Sequence, residues 1–132
     1  MQYAITASIL PMVIKLWWDM RLWMKRKPVN HGKEWLWLAA SEIPAIVMFA
    51  SHSQAGIFVS MALPALFIAF GIWFAFNLLY NILRGYPPFF AGSDDPDDPV
   101  TDDILQKLKP WQRPIVQLVP FTIALILYIL TL

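Results

Sequence analysis

The hydrophobic pattern of the chain centres on one long apolar stretch, residues 57–80. These 24 residues carry no charge, and their few non-apolar members are Ser60, Gly71 and Asn77. The hydrocarbon core of a bilayer is roughly 30 Å thick, and about 20 helical residues cross it. A helix in a soluble core rarely stays apolar around its whole circumference for this length. The stretch is therefore predicted to be a membrane-spanning helix.

Three other apolar stretches, shorter or more interrupted, complete the pattern. The four predicted spans are residues 2–24, 34–51, 57–80 and 115–132. The first span contains Lys15, so an alternative is an interfacial helix that lies flat with its charges on the wet side. The predicted fold is an all-α integral membrane protein, a single membrane domain of residues 1–132. It has four transmembrane helices, or three plus an interfacial N-terminal helix.

Every predicted span also contains a proline. Proline removes a backbone hydrogen bond and tends to kink a helix, so each span is expected to be kinked. The prolines concerned are Pro11, Pro44, Pro64 and Pro120.

The positions of the basic residues predict the orientation of these spans. Nine of the ten Lys and Arg residues fall on one side of the four-span arrangement, whereas the turn at 51–56 has none. By the positive-inside rule, both long connections are cytoplasmic, or on the corresponding face of a viral membrane, and both termini are outside. The second and third spans are predicted to form a tight antiparallel hairpin.

Composition narrows the class of protein further. The chain is 58% hydrophobic and 14% charged, against about 25% charged in average soluble domains. The net charge of +1 gives no argument for a nucleic-acid partner, and the lack of Cys excludes thiolate catalysis and Cys-ligated metals. His31 and His52 are in predicted turns on opposite sides of the membrane, so they cannot share an ion. No cofactor and no metal site is predicted.

The residues with candidate chemistry inside the membrane are few. Glu42 is in the second span, where an ionisable side chain is costly and by default suggests a function. It is interpreted as a proton site, an ion ligand or the partner of a cation such as Lys15, or alternatively as a neutral residue that packs helices. Lys15 and Asp19 are four positions apart and can pair on one helix face. Asn77 can hydrogen-bond to a neighbouring helix.

The connection at 81–114 is rich in Pro and Asp. It is interpreted as a solvated linker or a segment that docks onto a partner, since it lacks the ligand periodicity of an EF-hand. Six of the nine acidic residues of the chain are in it: Asp94, Asp95, Asp97, Asp98, Asp102 and Asp103.

The sequence shows no nucleophile with a base, no phosphate-binding Gly loop and no paired acid/base carboxylates. It therefore predicts a non-enzymatic multi-pass subunit that contacts the bilayer and other membrane subunits, or copies of itself. The setting is a larger membrane assembly or a virion membrane. The alternative is a homo-oligomeric pore, a holin-like protein or a transport protein that uses Glu42. A small membrane enzyme or cofactor carrier using Glu42 and His52 is a third hypothesis.

Overall fold

The described residues are mostly helical and include no strand. The computed structural model describes residues 2–25, 31–90 and 105–132, with side chains from residue 33 onward in the second range. The helices are α1 (Gln2–Met24), α2 (His31–Ser41), α3 (Ile43–Ala50), α4 (Ile57–Leu83) and α5 (Gln112–Ile129). The all-α prediction is confirmed for these residues, and α4 and α5 are long and apolar enough to cross a membrane.

The helix boundaries depart from the predicted spans in three places. Helix α4 continues past the predicted end to Leu83, and α5 begins at Gln112. Pro114 therefore lies in the first turn of α5, where its missing N–H is not needed by the helix. The second predicted span consists of two helices, α2 and α3, which meet at Glu42, a residue whose own backbone is helical (φ −83°, ψ −12°).

The division coincides with Pro44, in the first turn of α3. Pro44 has no N–H to donate to the carbonyl of Ala40, four residues before it. The amide of Glu42 is shared between the carbonyls of Leu38 (3.2 Å) and Ala39 (3.3 Å). The missing N–H of Pro44 thus interrupts the helical hydrogen bonds where α2 and α3 meet. The other prolines of the predicted spans lie inside unbroken helices: Pro11, Pro64 and Pro120.

Contacts at the helix ends show that α1, the α2–α3 pair, α4 and α5 run in alternating directions. At one end, the guanidinium of Arg84, which follows α4, lies 5.2 Å from the ring centroid of Trp23 in α1. At the other end, Ser53 Oγ, in the turn after α3, donates a hydrogen bond to Thr131 Oγ1, which follows α5 (2.8 Å). The turn at 51–56 joins α3 and α4 into an antiparallel hairpin, so the end of α5 closes over this hairpin.

Aromatic rings and one glycine bring α3, α4 and α5 together. The ring of Phe49 lies 5.1 Å from that of Phe67 and 5.7 Å from that of Tyr128, in edge-on geometry. The hydroxyl of Tyr128 donates a hydrogen bond to the carbonyl of Phe49 at 2.8 Å. Farther along α4, a methyl group added at Gly71 would lie 3.0 Å from the ring of Phe121 in α5. The close approach of α4 and α5 therefore depends on the missing side chain.

Candidate functional site

A buried ion cluster joins α1 to α2. Lys15 Nζ donates hydrogen bonds to Asp19 Oδ2 at 2.6 Å and to Glu34 Oε2 at 3.1 Å. The side chains of Lys15 and Asp19 are 2% and 0% exposed, and that of Glu34 is 20% exposed. The structure brings together the Lys15–Asp19 pair that helical spacing suggests. Glu34 was not singled out by the sequence, because its place in the cluster depends on how α2 aligns with α1.

Aromatic rings enclose the cation of this cluster. Lys15 Nζ lies 5.3 Å from the ring centroid of Trp35 in α2 and 4.9 Å from that of Phe76 in α4. A cation over an aromatic face is attracted by the ring quadrupole, and more strongly where water is excluded. One ammonium group therefore contacts three helices.

Helix α1 buries two charged residues and exposes several large aliphatic ones. Lys15 and Asp19 are buried, whereas Ile9 and Val13 are 49% and 47% exposed. In water the reverse arrangement is the rule, because Lys and Asp are seldom buried and aliphatic residues usually are. The outer face of α1 thus suits an apolar surrounding.

A groove lies beside the ion cluster, between α1 and α2. Its volume is about 270 Å³, and we call it the α1–α2 groove. It is lined by Ile14, Lys15, Trp18, Lys33, Glu34 and Trp37. The two tryptophans are half-exposed. The groove therefore combines apolar walls with charged groups.

Glu42 is buried without a partner. The residue is 4% exposed, and neither carboxylate oxygen has a hydrogen-bond partner among the described residues. Lys15, one of the partners considered for Glu42, contacts Asp19 and Glu34 instead. Glu42 follows Glu34 by eight residues, about 12 Å along the helix axis and roughly 80° around it. An ionised Glu42 would need a cation that this part of the chain does not supply.

Asn77, the remaining candidate in the membrane, lines a small cavity of about 10 Å³ near the end of α4. The stronger polar contacts there belong to Asn81, one turn later. Asn81 Nδ2 donates hydrogen bonds to the carbonyls of Pro88 (3.1 Å) and Phe90 (3.0 Å). Asn81 thereby fixes the chain that leaves α4. The sequence signal for this role was an amide placed just before a Pro-rich exit.

Two arginines at the same end also have structural contacts. Arg113 in α5 donates hydrogen bonds from Nε to the carbonyl of Leu105 (3.0 Å) and from Nη1 to the carbonyl of Phe89 (3.0 Å). Arg84 lies 5.1 Å from the ring centroids of both Tyr80 and Tyr86. These side chains tie the connection between α4 and α5 to the helix ends.

The other predicted candidates show no site. His52 is exposed, with Nδ1 2.7 Å from the carbonyl oxygen of Met48. No group of three or more His, Asp or Glu residues in the described part of the chain could hold a metal ion. The side chain of His31 and the predicted acidic docking segment lie outside the described residues; that segment comprises Asp94, Asp95, Asp97, Asp98, Asp102 and Asp103.

Comparisons of the chain with protein-family models, with curated proteins and with solved structures find no match. The ion cluster, the groove and Glu42 are therefore the features of the molecule that bear on its function.

Proposed function

We propose that this protein is a non-enzymatic multi-pass subunit that packs within a larger membrane assembly, such as a membrane complex or a virion membrane. The observation that carries the proposal is the buried cluster of Lys15, Asp19 and Glu34. An unpaired charge in an apolar interior costs several kcal/mol, so paired charges there resist separation of their helices. The contacts among Lys15, Asp19 and Glu34 hold α1 and α2 together. These contacts fit a role in helix packing better than a role in catalysis.

The same cluster supports a four-span arrangement. A flat α1 would place Lys15 and Asp19 in water, whereas both are buried and the outer face of α1 is apolar. The 23 residues of α1 extend about 35 Å at roughly 1.5 Å per residue, and residues 31–50 reach about 30 Å. Helix α1 and the α2–α3 pair therefore have the length to cross the bilayer beside α4 and α5.

The orientation proposed for the spans follows from charge. The described basic residues other than Lys15 are at the end of the bundle where α1 and α4 finish and α5 begins. They are Arg21, Lys25, Lys33, Arg84, Lys107, Lys109 and Arg113. This end is proposed to face the cytoplasm, with the turn at 51–56 and both termini outside.

Cysteine labelling is expected to reproduce this orientation. The chain has no cysteine, so single substitutions report one position each. Gly56→Cys meets no heavy atom within 4 Å and should react with a membrane-impermeant maleimide in intact cells. Lys107→Cys, at an exposed position, should react only after the membrane is permeabilised. Labelling of both positions from one side would contradict a span formed by α4.

Extraction from the native membrane tests the subunit role itself. We expect the tagged protein, at its native level in mild detergent, to elute as a particle that contains other polypeptides at a fixed ratio. Light scattering gives the particle mass, and mass spectrometry gives its composition. The matched control repeats the extraction after cross-linking in the intact membrane, which should capture the same partners. A particle made of this chain alone would contradict the proposal.

A second candidate function is ion or proton handling by a homo-oligomer, and Glu42 is the observation that favours it. Its carboxyl is buried without a partner beside the break that Pro44 introduces. The carbonyl of Ala40 loses its usual helical donor there. Broken helices with free carbonyls are where many transporters bind ions. Four helices enclose little space, so such a path would run between copies of the chain.

A further inference from the structure

Glu42 lies midway between two aromatic contacts that join its own segment to α4. Trp35 in α2 has its ring centroid 5.5 Å from that of Phe76, and Phe49 in α3 has its ring centroid 5.1 Å from that of Phe67. Glu42 is seven positions from both Trp35 and Phe49. Because this segment and α4 run antiparallel, Glu42 is level with the part of α4 midway between Phe67 and Phe76. Helix α4 has no charged residue there, and in the proposed placement this level is inside the hydrocarbon core of the bilayer.

No charged group described at this level balances an ionised Glu42. The residue is 4% exposed, and neither oxygen of its carboxyl has a hydrogen-bond partner among the described residues. In the helices around it, Lys15 and Asp19 bond to each other, and Tyr128 bonds to the carbonyl of Phe49. The other titratable residues of α1, α4 and α5 lie within one turn of a helix end: Tyr3, Arg21, Tyr80 and Arg113. An unpaired carboxylate in an apolar interior costs so much that the carboxyl keeps its proton instead.

A proton suits this site better than a metal cation does. Calcium and magnesium ions take about six or more oxygen ligands around one centre. Within the described part of the chain, no group of three or more His, Asp or Glu side chains could hold a metal ion. A proton needs a single oxygen atom, which the carboxyl of Glu42 supplies.

The helical hydrogen bonds are interrupted beside Glu42. Pro44, in the first turn of α3, has no N–H for the carbonyl of Ala40. The amide of Glu42 is divided between the carbonyls of Leu38 at 3.2 Å and Ala39 at 3.3 Å. Proteins open locally where few hydrogen bonds have to break. The junction of α2 and α3 is therefore the place where water reaches the carboxyl most readily.

We propose that Glu42 is a proton-binding site inside the membrane. Its carboxyl holds a proton in this structure and exchanges it with water when the junction of α2 and α3 opens. In that step the O–H bond breaks, the proton passes to a water molecule, and the electron pair stays on the carboxylate. The reverse step restores the neutral acid and closes the junction. The inference rests on the membrane placement proposed above, and it names the proton as the ion of the second candidate function.

Isotope-edited infrared spectroscopy tests the protonation of Glu42, because Glu34 and Glu42 are the only glutamates in the chain. The protein is made with glutamate that carries ¹³C in its side-chain carboxyl, and it is placed in liposomes at about pH 6, where a glutamate in water is ionised. The unchanged protein should show the carbonyl stretch of a neutral carboxylic acid, and Glu42→Gln should lose it. Glu34→Gln is the matched control and should keep this band, since the carboxylate of Glu34 contacts the ammonium of Lys15 at 3.1 Å.

Transfer to D₂O follows the exchange itself, because the band of the neutral acid shifts to lower frequency as deuterium replaces the proton. Pro44→Ala restores an N–H for the carbonyl of Ala40 and should slow this shift about fivefold, the effect of one added backbone hydrogen bond. Pro120→Ala is the matched control, because Pro120 lies inside the single helix α5, and it should leave the rate unchanged.

Absence of the neutral-acid band, or its persistence in Glu42→Gln, would overturn the site. A band that gives way to the carboxylate band when sodium or calcium chloride is added at constant pH would overturn the choice of a proton. An unshifted band in D₂O while the protein stays folded, or equal rates in Pro44→Ala and the unchanged protein, would overturn the role of the junction. These failures concern Glu42 alone, because the cysteine labels test the membrane placement and the extracted particle tests the subunit role.

Discussion

Replacing Lys15 with Met is expected to lower the free energy of unfolding by about 3–5 kcal/mol, because it removes one partner of a buried ion pair. Asp19 and Glu34 would lose the cation that both contact, at 2.6 and 3.1 Å. Asp19 is fully buried and cannot recover the loss from solvent. Met keeps most of the aliphatic stem, so the change in packing against Trp35 and Phe76 is small. The loss of stability therefore measures the effect of removing the positive charge.

The measurement is an unfolding titration with sodium dodecyl sulfate in mixed micelles, followed by circular dichroism. Lys15→Met combined with Asp19→Asn and Glu34→Gln should recover part of the lost stability, because no unpaired charge remains, while the buried amide at position 19 still lacks a partner. Lys25→Met is the surface control, and a change within about 0.5 kcal/mol is expected at its exposed position. An unchanged midpoint for Lys15→Met would show that the ion cluster does not hold α1 to α2.

Local sequence patterns predicted the parts of this fold that depend on neighbouring residues. The absence of charge over residues 57–80 was enough to identify α4, and helical spacing was enough to suggest the Lys15–Asp19 pair. Glu34 is 19 positions from Lys15 and reaches it only through the packing of α2 on α1. Spacing along one helix carries no information about that alignment. The sequence therefore predicted the contact of Lys15 with Asp19 but not its contact with Glu34.

The four prolines show a second limit of the sequence. All four have the same local effect, the loss of one amide donor, yet only near Pro44 do two helices meet; the other three prolines lie inside single helices. Whether a helix continues past a proline depends on how its neighbours satisfy the freed carbonyl, which is a property of packing. Glu42 lies where α2 and α3 meet, so its lack of a hydrogen-bond partner could not be predicted from the residues beside it in the sequence.

The basic residues that predict the orientation of the spans also make specific contacts within the fold. Arg113 contributes a positive charge to one face of the membrane, and its Nη1 also bonds the carbonyl of Phe89, 24 positions away. Arg84 packs among Trp23, Tyr80 and Tyr86. Long side chains reach far from their own helix, so their partners follow from the fold and cannot be read from spacing.

Replacing Glu42 with Met is expected to raise the free energy of unfolding by about 1–3 kcal/mol, the cost of burying a polar group that lacks a partner. Met keeps the length of the side chain and removes the two oxygens that no described group bonds. The same detergent titration measures the change. Glu34→Met is the matched control, since it makes the same substitution at a glutamate that contacts Lys15, and its removal should lower stability. A destabilised Glu42→Met variant would show that Glu42 has a packing contact of its own.

A stabilising substitution at Glu42 would change how the residue is understood. A residue that weakens its own fold is retained for what it does, because stability is commonly lost where activity needs a strained or unpaired group. Proton flux into liposomes separates the two candidate functions at this position. Flux that requires Glu42 and disappears in Glu42→Gln would favour the homo-oligomeric pore. If neither protein supports flux, and Glu42→Gln fails to capture the cross-linked partners, then the carboxyl of Glu42 is needed for assembly with those partners.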